Sequence, residues 1–171
     1  MGYLGNQITT VFPTSISVDT ATIATANISN QLTDANMSPG SILQTVQSTT
    51  TTAVEQTTQH VFVDTGLTAT ITPTSSSSKI MITYTIHQFV TSSLGAGGSR
   101  LLRGSTSIRD YGYGGYFGSS TAMYTNTHQH LDSPSTTSAT TYKVQFYTNG
   151  YRLICNYSSY VSTITLQEIA Q

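Results

Sequence analysis

The chain of 171 residues is long enough for one ordinary domain with an appendage. Only 8 % of its residues are charged, whereas soluble domains average about 25 %, so hydroxyl and amide side chains supply most of its polarity. The formal net charge of −1 excludes a strongly basic surface for nucleic acid, which requires clustered Lys and Arg. The sequence contains neither the basic and apolar regions of a secretory signal nor an apolar run of about 18 residues that would span a bilayer. We therefore expect synthesis in a cytoplasm.

An unusual spacing of apolar residues distinguishes the first forty residues. A small apolar head is followed by single apolar residues roughly five positions apart, and the series comprises Tyr3, Leu4, Phe12, Val18, Ile23, Ile28, Leu32 and Met37. A period of five fits neither a helix nor a strand. One copy buries too little apolar surface to offset the entropy lost on ordering. We predict an extended segment that docks on a larger assembly and is ordered by sister copies around a threefold axis; the alternative is a disordered tail.

The remainder of the chain shows the alternation of β-strands. Ser38-Pro39-Gly40 breaks the preceding pattern, and we place a domain boundary there, between segments 1–40 and 41–171. Asp64-Thr65-Gly66 predicts a turn. The predicted strands lie near Ile42–Gln47, Gln56–Val63, Leu67–Ile71, Lys79–Val90, Arg100–Arg103, Ser107–Tyr111, Thr121–Leu131 and Val161–Ile169. Lys79–Val90 is the longest, and its inward face is predicted to carry Ile80, Ile82, Tyr84 and Ile86.

The segment Tyr142–Tyr157 carries the strongest local signal. Tyr142, Val144 and Phe146 alternate with polar residues, and a second alternating run follows Asn149-Gly150. Asn and Gly tolerate the positive φ of a type I′ turn, so the pattern predicts a β-hairpin. With some eight to ten strands and no convincing helix, the sequence predicts an all-β, antiparallel two-sheet sandwich, most simply a jelly roll, preceded by the extended N-terminal segment.

Three stretches within residues 41–171 together resemble marine bacteriophage virion proteins of the tail-fibre or fibre-like kind. They are Gly66–Lys79, Leu101–Thr106, and Leu131-Asp132-Ser133-Pro134 running on to Thr141-Tyr142-Lys143. The opening MGYLGN also resembles the virion-docking end of such fibres. The resemblance implies a homotrimeric β-sandwich knob on the surface of a phage particle, contacting other virion proteins of the tail or capsid. Its expected task is host attachment, with a host surface glycan as a candidate partner, or head decoration that stabilises the capsid lattice. A cellular lectin-like module is a third, less favoured reading.

The residues offer little for catalysis or metal binding. His128 and His130 share a strand face, and we interpret them as polar strand residues rather than metal ligands, because the spacing of two histidines is by itself permissive. No G-x-S-x-G motif occurs, and the acidic residues were expected mostly in turns, where they would not form a catalytic pair. We therefore expect no enzyme activity, no cofactor and no metal. His60 and His87 are expected to be packed or surface residues.

A stretch rich in Tyr and Gly has the greatest binding potential. It contains Tyr111, Tyr113, Tyr116, Phe117 and Tyr124, interleaved with small residues. Tyr offers a broad apolar face and a hydroxyl at low entropic cost, so this predicted loop would either contact a receptor or fill a subunit interface. Arg100, Arg103 and Arg109 are interpreted as strand-edge charges that discourage aggregation. Cys155, the single cysteine, is interpreted as a buried small hydrophobe.

Overall fold

The computed structural model describes residues 37–91, 95–117, 121–150 and 152–171, with the side chains at positions 95, 96 and 113–117 left out of the description. Ten strands are found in these residues: β1 Ile42–Thr50, β2 Val54–Gln56, β3 Val63–Ile71, β4 Lys79–Val90, β5 Gly95–Arg103, β6 Thr106–Phe117, β7 Ala122–Asp132, β8 Thr140–Thr148, β9 Leu153–Cys155 and β10 Ser162–Ile169. All strand pairs are antiparallel. No helix in this part of the chain has the length and apolarity needed to cross a bilayer.

The strands form two sheets. Sheet A has the order β1-β10-β4-β7, and the short strands β9 and β2 continue it, because β9 pairs with β4 beyond the end of β10. Sheet B has the order β3-β8-β5-β6. With β2 and β9 set aside, successive long strands change sheet at every step except the β5–β6 hairpin, which is the winding of a jelly roll. The all-β, two-sheet antiparallel prediction is confirmed.

The core lies between the two sheets. In β4 every second residue is buried, and Ile80, Ile82, Tyr84 and Ile86 are at most 1 % exposed, as their spacing predicts. They face a matching set from sheet B that comprises Leu67, Ile71, Leu101, Tyr142, Val144 and Phe146. Each such aliphatic side chain contributes about 1.5–3 kcal/mol when it is fully removed from water. Alternation at period two thus identified the buried face of the long strands correctly.

The predicted hairpin at Tyr142–Tyr157 is wrong. β8 pairs with β3 and β5 in sheet B, whereas β9 pairs with β2 and β4 in sheet A. The chain therefore crosses from one sheet to the other around Asn149-Gly150 instead of folding back on itself. Alternation with period two indicates that one face of a strand is buried, but it does not indicate which strand pairs with it. Here β8 and β9 each pair with strands distant in sequence and not with each other.

Two turn and strand boundaries also differ from the prediction. The turn expected at Asp64-Thr65-Gly66 lies inside β3 as a bulge, where Gly66 has φ +81° and the register with β8 shifts. The strand expected at Gln56–Val63 is a loop between β2 and β3. The side chain of Gln56 holds this loop, because its Nε2 donates to the Val61 carbonyl at 2.6 Å and its Oε1 accepts from the Thr58 amide at 2.8 Å. This loop carries residues that line the site described below.

The five acidic residues in the described part of the chain lie in strands, not mostly in turns as expected. Glu55, Asp64, Asp110, Asp132 and Glu168 belong to β2, β3, β6, β7 and β10 respectively. Glu168 is fully buried and Asp132 is 8 % exposed. The strand-edge interpretation is corrected for Arg100 and Arg103, because β5 lies between β8 and β6, whereas Arg109 lies in β6, the last strand of sheet B. Arg103, at the end of β5, forms an ion pair of 2.9 Å with Asp132.

Candidate functional site: an aromatic pocket on sheet B

A pocket of about 270 Å³ opens on the outer side of sheet B. Its lining comes from the β2–β3 loop and from strands β5, β6 and β8, and comprises His60, Phe62, Ser99, Asp110, Gly112 and Tyr147. These residues are distant in sequence. The antiparallel register of β5 with β6 and with β8 brings them together.

The aromatic wall of the pocket consists of three rings. Phe62 meets Tyr147 edge to face, with ring centroids 4.8 Å apart, and His60 lies 6.1 Å from Tyr147. Such an edge-to-face pair stabilises the arrangement beyond its buried area. The backbone of His60 is in the left-handed region at φ 59°, and its amide donates to the Thr148 carbonyl at 2.8 Å. The loop is therefore tied to the end of β8, beside Tyr147.

A glycine permits the ring of Tyr147 to lie against the sheet. A Cβ atom at Gly98 would collide with the Gly112 carbonyl oxygen and with the ring of Tyr147. Gly98 is opposite Tyr147 in the pairing of β5 with β8. The small residue and the aromatic residue thus form a matched pair, and the pocket depends on both.

Charged groups border the aromatic wall. The guanidinium of Arg100 lies 3.8 Å from the centroid of the Phe62 ring, and its Nε donates to Gln145 Oε1 at 2.8 Å. Gln145 Nε2 in turn donates to Asp64 Oδ1 at 2.6 Å. The stacking and the hydrogen bond fix the guanidinium plane over the ring. Asp110, opposite Arg100 in the β5–β6 register, adds a carboxylate to the pocket lining.

The aromatic rings and charged groups of the pocket together suit a ligand with a small polar ring. Aromatic faces pack against C–H groups. A guanidinium donates to hydroxyl or acidic substituents, and a carboxylate accepts from hydroxyls. The volume is just below the usual range of about 300–1,000 Å³ for drug-sized ligands, which favours one ring rather than a long chain inside the pocket.

The hydroxyl of Ser99 is buried and bonds the hydroxyl of Tyr84 at 2.9 Å. It is therefore not presented as a nucleophile. Within the described ranges, no group of three His, Cys, Asp or Glu side chains is placed to hold a metal ion.

The structure places the predicted tyrosine-rich region elsewhere. Residues 111–117 belong to strand β6 and not to a loop. The ring of Tyr111 stacks on His128 at 4.1 Å, and its hydroxyl donates to the Gln129 carbonyl at 2.9 Å. Tyr124 is on the inward face of β7 and packs against the core. Both side chains thus contribute to closing the sandwich between β6 and β7. The side chains of Tyr113, Tyr116 and Phe117 are outside the described residues, and a receptor or subunit contact in this region remains a prediction.

Burial changes the titration of this tyrosine and histidine cluster. Tyr84, Tyr111 and His128 lie within 6 Å of one another, ring to ring. Burial raises the pKa of Tyr84 and of Tyr111, and it lowers the pKa of His128. His128 is therefore held neutral, and it was interpreted from the sequence as a polar strand residue, whereas the structure stacks its ring on Tyr111.

Other predicted site residues have a mixed outcome. Of the predicted docking and trimer residues, Met37 is the first residue described, and the rest (Tyr3, Leu4, Phe12, Val18, Ile23, Ile28 and Leu32) lie outside the described residues. The residues of the pocket were not predicted as a site. Only part of the signal was available, because Tyr147 lies in a run predicted to be a strand, whereas Gly97-Gly98 were expected in a loop before the Arg100–Arg103 strand and lie inside β5 in the structure. Only the register shows that they meet.

These features define an all-β jelly-roll sandwich with an aromatic pocket on the outer face of one sheet. No protein-family model and no curated protein sequence matches the chain. Among solved structures, the fold is similar to a chain in the structure of infectious bursal disease virus Gx strain, with a TM-score of 0.41 and 11 % sequence identity. The matched region covers 75 % of this chain and 37 % of that chain. The present chain thus spans little more than a third of the viral chain.

Proposed function

We propose that this protein is a non-enzymatic component of a bacteriophage particle, displayed on the virion surface as a homotrimeric knob that attaches to the host. The sequence resemblance of residues 41–171 to fibre-like virion proteins supports the virion role. The observation that supports attachment is the aromatic pocket, whose rings, guanidinium and carboxylate match the chemistry of a sugar unit in a host surface glycan. Residues 1–40 would dock on other virion proteins and join the three copies.

Attachment is tested by competition and by direct binding. Purified full-length protein, added to host cells before phage, is expected to reduce infection, and immobilised bacterial surface polysaccharides are expected to retain it. Tyr147→Ala removes part of the aromatic wall and Arg100→Ala removes the stacked cation, so either variant should lose both effects. Thr70→Ala, an exposed substitution on the same sheet but away from the pocket, is the matched control. If the wild-type protein neither blocks infection nor binds any polysaccharide, attachment is excluded as its role.

The second candidate function is decoration of the capsid, which requires a surface in lasting contact with other proteins. The outer face of sheet A favours it, because its outward positions are almost free of charge. Interfaces between proteins are depleted of charged residues at their centre. Labelled antibodies on intact particles separate the two roles, since tail parts occur in small multiples and decoration proteins in tens to hundreds. Capsids that lose heat resistance without the protein would favour decoration.

A further inference from the structure

The outer faces of the two sheets differ in charge. Sheet B presents Asp64, Lys143 and Arg100 along one hydrogen-bonded network. In the strands β1, β10, β4 and β7 of sheet A, the charged residues are Lys79, Asp132 and Glu168, and the two acidic ones are buried. Lys79 stands at the first position of β4, at the border of the sheet. The four-stranded outer surface of sheet A is therefore an uncharged face.

Hydroxyl and amide side chains fill the centre of this uncharged face. The register aligns one residue from each of the four strands into a row of threonines, Thr49, Thr163, Thr85 and Thr127. The adjoining row consists of Gln47, Thr165, Thr83 and Gln129. Neighbours within the rows bond each other: the hydroxyls of Thr85 and Thr127 are 2.9 Å apart, and Gln47 Nε2 donates to Thr165 Oγ1 at 3.1 Å.

Exposed apolar and aromatic residues adjoin the uncharged face at one end, beside the exposed ion pair of Glu55 with Arg152. Met123 is 48 % exposed and is opposite Phe89 in the register. The ring of Tyr157 stacks on Phe89 with centroids 4.2 Å apart, and Tyr160 lies 5.6 Å from His87. Both tyrosines remain exposed, at 39 % and 48 %. Tyr, Phe and Met are the residue types enriched at protein interfaces, and a contiguous exposed group of them marks an interaction surface.

From these observations we infer that the uncharged face is an interface with the same face of a second copy of this chain. In a twofold contact each residue meets residues of the same surface, so the surface must be complementary to itself. Hydroxyl and amide groups both donate and accept hydrogen bonds, and two such arrays satisfy each other, whereas two copies of a surface with net charge repel. In the four strands β1, β10, β4 and β7, Lys79 at the border is the one charge that is not buried and that a partner recognised by charge, such as a nucleic acid or a basic protein, would meet.

The size of the uncharged face fits a modest but specific contact. Four strands at spacings of about 4.8 Å, each presenting about 27 Å of length, give roughly 500 Å² per copy. Two copies would remove roughly 1,000 Å² from water, which is about the lower limit for a specific interface. Tyr157 and Tyr160 extend that area. The contact is therefore expected to be reversible and dependent on concentration. It is independent of the attachment role, which uses the opposite sheet.

The test is sedimentation velocity of the full-length protein over a range of concentrations. Wild-type protein is expected to at least double the mass of its smallest species as concentration rises. Thr85→Glu places a carboxylate in the threonine row and should weaken that step by about tenfold or more. Thr70→Glu is the matched control, since Thr70 and Thr141 on sheet B form the same kind of pair, with hydroxyls 2.7 Å apart, and it should associate like wild type.

A mixing experiment identifies the partner as a second copy. Thr85→Glu and Thr85→Lys chains should each fail to associate alone and should associate when mixed, because the opposite charges then face each other. Near-ultraviolet circular dichroism checks that each variant keeps the native packing. The inference is overturned if wild type shows no association, if Thr70→Glu impairs it as much as Thr85→Glu, or if the mixture does not recover. Wild-type protein that stays a single species but binds purified capsids through this face would assign the face to another virion protein instead.

Discussion

Glu168 Oε1 accepts two hydrogen bonds from Thr74, one from its backbone amide and one from its hydroxyl, both at 2.7 Å. Its second oxygen accepts from Gln44 Nε2 at 2.5 Å. This carboxylate is fully buried, and it joins β10 to β1 and to the loop between β3 and β4. Three donors thus replace the water that the carboxylate loses on burial, which is what allows a charge at this depth.

We predict that Glu168→Gln lowers the free energy of unfolding by about 1–3 kcal/mol at pH 7. The amide keeps the shape of the side chain, but its NH₂ group cannot accept the bonds that one carboxylate oxygen received. Urea unfolding at pH 7 measures the loss. Glu55→Gln is the control, since Glu55 forms an exposed ion pair with Arg152 and its replacement should change stability little. A variant as stable as wild type would mean that this network does not support the fold.

Low pH should remove the stabilisation that the Glu168 carboxylate gives to the fold. Burial alone would raise the pKa of Glu168, but the hydrogen bonds from Gln44 and Thr74 outweigh it and hold the pKa below its usual 4.5. A carboxyl with a depressed folded pKa stabilises the protein above its unfolded pKa and loses that contribution as pH falls through the folded value. Wild type should therefore lose stability below about pH 4.5, and its advantage over Glu168→Gln should shrink there. An advantage that stays constant down to pH 3 would contradict the assignment.

Two glycines should respond differently to alanine. Gly98→Ala places a methyl group against the Gly112 carbonyl and the Tyr147 ring, so it should cost about 1–3 kcal/mol and displace the ring from the pocket. Gly104 has open space around its Cα but φ +59°, so Gly104→Ala should cost about 1–2 kcal/mol of backbone strain and leave the pocket intact. Polysaccharide binding together with urea unfolding distinguishes them. If both variants bind alike, the Gly98–Tyr147 contact does not shape the pocket.

Cys155 should be inert in the folded protein. It is fully buried, and burial raises the pKa of its thiol to about 12, so almost no thiolate forms near neutral pH. We predict that a disulfide reagent labels it at least about a thousandfold more slowly in buffer than in denaturant, and that the residual rate follows opening of the fold. Thr70→Cys in a Cys155→Ser background provides an exposed thiol for comparison. Rapid labelling of native Cys155 would show that the β9 region opens easily.

Local sequence pattern located most of the long strands, although it placed a strand at the loop before β3, and it did not give the pairing partners. The Lys79–Val90 strand and its buried isoleucines follow from alternation, because a strand with one buried face must alternate whatever it pairs with. The Tyr142–Tyr157 hairpin failed because Asn149-Gly150 is compatible with a tight turn and also with a crossing between sheets.

The pocket could not be predicted from local sequence pattern, because that pattern does not give strand pairing. Phe62, Arg100 and Tyr147 meet only through strand pairing across long stretches of chain. Arg100 was interpreted as an edge charge since nothing near it in sequence reveals an aromatic partner. The tyrosines of positions 111 and 124 have the composition of binding residues, yet their side chains support the sandwich. Composition does not distinguish a ring that binds from a ring that packs.

Asp132, Arg103 and the buried Tyr142 form a polar triad at the end of β7. Asp132 accepts from Arg103 Nη1 at 2.9 Å and from the hydroxyl of Tyr142 at 2.7 Å, which joins β7 to β5 and β8 across the sandwich. Asp132→Ala removes the acceptor of the Tyr142 hydroxyl and the charge partner of Arg103. Because the Arg103 side chain is 34 % exposed and also donates to the Ser133 carbonyl, the variant should cost about 1–3 kcal/mol, whereas Tyr142→Phe removes one neutral donor and should cost about 1 kcal/mol. The double variant should cost less than the sum of the two, because the partners share one carboxylate. Urea unfolding of all three variants measures the coupling.

Lys143→Ala, which breaks the more exposed pair with Asp64, is the control and should cost less than about 1 kcal/mol. If Asp132→Ala costs no more than Lys143→Ala, the two sheets are held together here by apolar packing alone.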